Sequence, residues 1–180
     1  MTNSSKHPPF EDDPVAFEFY SLIGRILVCW SRIERSLDVA VAATRHLRDP
    51  KERSITSLQR KIKILEQTYR DNPHLAQGHP WASGALDSLG AAANFRHTLV
   101  HGYCHGIKHN AEPAIHFRKA RYEPEGPKSQ EIHATRADLW DYVLKLREID
   151  YRMGMVAVHA TIEARKGRLE PSQPDPRGKV

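Results

Sequence analysis

The residues best suited to chemistry fall in one short run, Asn94-Phe-Arg-His-Thr-Leu-Val-His-Gly-Tyr103. Arg96 continues an apolar stripe that begins at Ala82, Leu86, Leu89 and Ala93 and leads on to Val100. A guanidinium in core phase needs a partner, because an unpaired buried charge is costly. Either a carboxylate on a neighbouring helix, with Glu34 a candidate, or an anion held among the helices would satisfy it. His97 and His101 stand four apart and share a helical face. Imidazole titrates near neutral pH, so either ring suits proton transfer. Arg96 and His101 stand five apart, which on an ideal helix means about 140° of rotation and about 7.5 Å of rise. They meet only if the last turn loosens, and Gly102 supplies a reason for the helix to end there.

The longer region from Arg96 to Arg121 is rich in histidine. Of eleven His in the chain, His97, His101, His105, His109 and His116 lie here, with Lys108, Arg118, Lys119 and Arg121 against a single acid, Glu112. Phe117 and Tyr122 are of a type that stacks on bases. The alternative is a solvated, slightly basic hairpin. His97, His101, Cys104, His105 and His109 also offer nitrogen and sulfur ligands, but Gly102 and Gly106 interrupt the helix and no CxxC or HExxH spacing is present. The expectation is therefore no metal and no cofactor.

These residues need helices to position them. Asp13-Pro14 reads as a cap followed by a first-turn proline. Phe19, Ile23, Ile26, Trp30, Ile33, Leu37, Ala40 and Thr44 then recur at alternating spacings of four and three, one face of a long helix. A second helix is expected from Asp49-Pro50, with Glu52 at the capping-box position and Ile55, Leu58, Ile62, Leu65 and Tyr69 as its stripe; Asn72-Pro73 ends it. A third begins near Pro80. Tyr103–Lys108 and Ala114–Tyr122 read as a β-hairpin, and Glu123–Pro127 as a turn-rich link. Thr135 and Asp138 then cap a long final helix with the stripe Leu139, Val143, Leu146, Ile149, Met153, Val156 and Ala160. The fold class expected is all-α: an up-and-down four-helix bundle with a small β-hairpin insertion, at about residues 103–123, before the last helix. Residues 1–12 and 166–180 are expected to be flexible tails around a helical domain spanning 13–165.

Composition bounds the function. At 180 residues and 20.5 kDa the chain suits one domain. A net charge of +5 and a pI near 9.3 allow a phosphate-rich partner. A mean hydropathy of -0.61, and a longest apolar stretch (Leu22 to Trp30) that is broken by Arg25, argue against a membrane protein. The start, MTNSSKHPPFEDDP, has no apolar signal core, and two cysteines make no disulfide framework, so a reducing cytoplasm is the expected location. Trp30, Trp81 and Trp140 read as core or interface aromatics, and Cys29 as a buried thiol.

Arg96-His-Thr-Leu-Val-His101 resembles the Arg, four residues, His motif of the HEPN superfamily, four-helix-bundle proteins that include many metal-independent ribonucleases of toxin–antitoxin and defence systems. His97 fits the polar position after the Arg. Tyr103 extends the match to the Arg, four residues, His, one residue, Tyr version of HEPN toxins paired with a minimal nucleotidyltransferase antitoxin, where the Tyr can carry AMP. With 17 Arg and 11 His in the chain, the bare spacing arises by chance roughly once, whereas adding the Tyr lowers the expectation to about 0.03. Trp30-Ser-Arg-Ile-Glu34 with Leu37, and Ser57 to Leu65, also resemble the first two helices of that superfamily.

The resemblance implies an endoribonuclease whose composite site forms between the two copies of a homodimer, with an antitoxin as a further partner. Such cleavage uses the 2′-OH of RNA as nucleophile, so DNA is not a substrate. Arg96 would hold the non-bridging phosphate oxygens and His101 would act as acid or base, with His97 assisting. Asn94 and Glu34 would orient them, and Tyr103 is either a modification site or a ring packed under the hairpin. The alternative is a non-catalytic HEPN-like bundle that binds nucleotide, RNA or another protein.

Overall fold

In the computed structural model, residues 13–45, 57–109, 111–123 and 126–166 are described. Their order is α1 (Pro14–Ala43), α2 (Leu58–Asp71), α3 (Pro73–Ala76), α4 (His79–His101), β1 (Tyr103–Lys108), β2 (Ala114–Glu123), β3 (Gly126–Thr135) and α5 (Arg136–Arg165). The protein is mostly helical, with one small antiparallel sheet of order β1-β2-β3.

Helix boundaries follow capping chemistry. Asp13 Oδ1 accepts from the amides of Val15 at 2.9 Å and Ala16 at 3.2 Å, with Pro14 the first helical residue. Asn72 closes α2 by donating its amide to Thr68 O, and its side chain opens α3 by accepting from His74 N. That short α3 is an addition to the expected elements. Ser57 caps α2 through Arg60 N; the expected start at Asp49-Pro50, with Glu52 and Ile55, lies outside the described residues. At α5 the Thr135–Asp138 pair is reciprocal. Asp138 Oδ2 accepts from Thr135 Oγ1 at 2.8 Å and from Thr135 N at 2.9 Å, while Thr135 Oγ1 accepts from Asp138 N at 3.1 Å. These bonds favour the carboxylate and lower the pKa of Asp138.

The expected hairpin is a three-stranded sheet. Glu123 pairs with Gly126, so the Pro-containing stretch read as a link is the β2–β3 connection, and Gly126–Thr135 is a full strand. Its polar sequence hid it: on the inward face only Ile132 and Ala134 signal burial, opposite Phe117 and Ile115.

The chain divides into two compact units, and α1, α4 and α5 each contribute a segment to both. One unit, residues 1–29 and 92–146, holds the sheet. Phe19, Leu22 and Ile26 of α1, Ile115 and Phe117 of β2, and Leu139, Val143 and Leu146 of α5 are buried there. The other unit, residues 30–91 and 147–180, is helical in its described part. It buries Trp30, Ile33 and Leu37, Leu65 and Tyr69, Leu86 and Leu89, and Ile149, Met153 and Val156. The Tyr69 hydroxyl donates to Val156 O at 2.9 Å and lies 3.3 Å from His159 Nδ1. Burial pushes the pKa of this phenol well up. Arg32 pairs with Asp150 at 3.0 Å in the same unit.

Candidate functional site

The Arg96 segment occupies the last two turns of α4. Tyr142 of α5 secures these turns: its hydroxyl donates to Ala92 O at 2.7 Å, and its ring meets Phe95 edge-on, centroids 4.4 Å apart. Thr98 is buried and donates Oγ1 to Asn94 O at 3.2 Å. Asn94 and His97 are exposed, while Arg96 is half-buried. The apolar stripe drifts off at this point. Ala92 rather than Ala93 is buried, and Val100, expected in the core, is 43% exposed. Arg96 is therefore a rim residue rather than an interior one, which lowers the cost of its charge.

The helix does not loosen before His101. The Gly102 amide donates to Thr98 O at 2.7 Å, the spacing of an ordinary helical turn, and α4 runs through His101. The backbone positions of Arg96 and His101 thus keep the large angular separation of a regular helix. Gly102 is required by space: a Cβ there would stand 2.3 Å from Thr98 O. β1 starts one residue later, at Tyr103.

Asn94, Arg96, His97, His101 and Tyr103 belong to the sheet-bearing unit, whereas Glu34 sits half-buried on the α1 segment of the other. The side chains of His101, Tyr103, His105, Lys119, Arg121 and Tyr122 lie outside the described set.

The sheet contributes a feature that the sequence pattern missed. His116 and His133 are directly opposed across β2 and β3, with Arg118 opposite Glu131 on the same face. His133 Nδ1 and His116 Nε2 lie 3.3 Å apart, ring centroids 4.0 Å, so one nitrogen donates to the other. Glu131 Oε2 is 4.0 Å from His133 Nε2. A cavity of about 330 Å³ opens beside them, lined by Lys108, His116, Arg118 and Glu131 among others. Gly106, at φ +130°, lies at the β1 bulge beside it. His133 is 17 residues from His116, and only the register of the undetected third strand brings them together. Phe117, expected to stack on bases, is instead buried on the inner face.

Cys104 Sγ lies 3.9 Å from the Tyr20 hydroxyl, and burial, followed by the thiol nearby, raises the Tyr20 pKa. Cys29 is buried, as expected. His109 Nε2 is 3.2 Å from Asp13 Oδ2. Among the described residues, no group of three or more His, Cys, Asp or Glu is placed to hold a metal ion. Nor, among them, is any helix long and apolar enough to cross a membrane.

Comparison of the chain with family models, with curated proteins and with solved structures returned no match.

Proposed function

We propose that the protein is an HEPN-type, metal-independent endoribonuclease, acting in the cytoplasm in a toxin–antitoxin or defence setting. Its helices would form an up-and-down four-helix bundle, and two copies would face each other to complete the site. The observation that carries this reading is the half-buried Arg96 followed by exposed His97 on the final turns of α4, just before the junction that only Gly102 fits. An unbroken helix separates Arg96 from His101 by about 140° of rotation. A homodimer answers that separation, since the Arg of one copy can work with the His of its partner. Arg96 would clamp the phosphate oxygens while His101 moves a proton to or from the 2′-OH or the leaving 5′-oxygen. His97 would add a donor, and Asn94 and Tyr103 would support them. The outer sheet face, with Lys108, Arg118 and the His116–His133 couple, is a track for the RNA backbone.

The same unbroken helix favours one alternative, a non-catalytic module that binds nucleotide, RNA or a protein partner. Incubation of purified protein with single-stranded RNA, in the presence of a chelator, tests the choice. Cleavage that falls at least about 100-fold in Arg96→Ala and His101→Ala, with dimerisation retained, supports the enzyme. Wild-type protein that binds RNA without cutting it supports the module.

A further inference from the structure

A second cavity, of about 580 Å³, lies between the beginnings of α1 and α5, both in the sheet-bearing unit. Its size falls in the range of small-molecule sites. Two helical rows line it. Phe17, Ser21 and Arg25 follow one another at intervals of four on α1, and Arg136 and Trp140 do so on α5.

Two properties separate this cavity from a chance groove. Its apolar wall includes aromatic surface left in water: Phe17 is 70% exposed and Trp140 40%. Leaving such rings uncovered forfeits the stabilisation that burying them would bring. Its polar groups are also biased in sign, with two guanidiniums against one carboxylate. Arg136 Nη1 donates to Glu18 Oε2 at 2.9 Å, and the Arg25 guanidinium carbon stands 5.6 Å from the centre of the Trp140 ring. Glu18 therefore neutralises one cation and leaves an excess positive charge beside the aromatic wall.

From this juxtaposition we propose that the cavity binds a small planar aromatic anion, its ring against Phe17 and Trp140 and its acidic group on Arg25, with Arg136 alongside. Arg25 is suited to both tasks, because a guanidinium stacks on rings and forks onto carboxylate or phosphate. The ligand's acidic group can be a carboxylate on a short arm of an aryl ring or the phosphate of a mononucleotide; both present a flat ring and an anion within one cavity of this volume. No residue of the Arg96 segment lines this cavity, so the proposal stands apart from RNA cleavage.

Equilibrium binding to the full chain by calorimetry tests it, using indole-3-acetate and adenosine 5′-monophosphate as probes, with indole and adenosine as neutral counterparts. At least one anion should bind with a Kd below about 100 µM, and its neutral counterpart about tenfold or more weaker. Arg25→Gln and Trp140→Ala should each weaken that anion about tenfold, with Arg25→Lys in between, while Arg96→Ala leaves it unchanged. Which anion binds identifies the source. Both substituted residues are exposed, and circular dichroism checks that the variants fold. The proposal is overturned if neither anion binds below about 100 µM, if the neutral compounds bind equally well, or if binding survives both substitutions.

Discussion

The two units spend their side chains differently. In the helical unit, polar groups are tied to structure: Tyr69 is buried and bonded to Val156 O, and Arg32 is paired with Asp150. In the sheet-bearing unit, histidines and arginines line open cavities. A group locked into the interior stabilises the fold but cannot meet a ligand. A half-exposed group gives up some of that stabilisation and keeps its chemistry available. The contrast predicts that substitutions in the helical unit will act on stability, and those at the end of α4 on activity.

The largest effect expected is on the helical interior. Leu86→Ala, at a fully buried position, should cost about 3–5 kcal/mol in denaturant unfolding, whereas Phe17→Ala should stay within about 0.5 kcal/mol. Comparable losses at both positions would erase the distinction. Arg96→Ala comes next. It should reduce RNA cleavage by at least about 100-fold, near 2.7 kcal/mol in the barrier, with thermal unfolding shifted little.

Gly102→Ala should cost about 1–3 kcal/mol, because the Thr98 carbonyl has to move to admit a methyl group. A variant as stable as wild type would mean that the α4–β1 junction yields easily. Tyr69→Phe should cost about 1–2 kcal/mol by removing the buried hydroxyl's bond to Val156 O and its contact with His159 Nδ1. It also carries a pH signature. The folded phenol holds its proton more tightly than the unfolded one, so its contribution is complete below about pH 10 and declines as pH rises beyond that. Alkaline titration of stability should therefore fall less steeply in Tyr69→Phe than in wild type.

The smallest effect expected is at the α5 cap. Asp138→Asn should cost about 0.5–1 kcal/mol. Because the folded carboxyl has a lowered pKa, its contribution is present above the ordinary carboxylate value near 3.9 and is lost as pH falls through the folded value. The variant should lack that part of the acid slope.

The helices were legible wherever a cap and a period agreed. Asp13-Pro14 and Thr135 with Asp138 mark true starts, and the final helix buries every residue of its expected stripe. On α1 the single departure is Ile23, half-buried where neighbouring Leu22 is buried. The pattern was weaker where fewer apolar residues carried it. β3 announces itself with two inward residues in ten, and α3 is a single turn set by Asn72 rather than by periodicity. At the site, the placement of Arg96 on a helix end was readable from Ala82, Leu86 and Leu89. Its degree of exposure was not, because spacing gives direction around a helix and says nothing of how far the neighbouring elements extend.

Local order in the chain determined the helical character, the caps, the α4 stop at Gly102 and the candidate Arg–His segment, because each depends on residues a few positions apart. Tertiary structure decided which of these groups keep company. Strand register set His133 against His116, the drift of the α4 stripe moved Arg96 to the rim, and the approach of α1 to α5 placed Arg25 against Trp140. Such contacts join residues as much as 118 positions apart in the chain, as Arg136 and Glu18 are. They arise only when several buried stripes are satisfied at once, a condition no single stretch of sequence states.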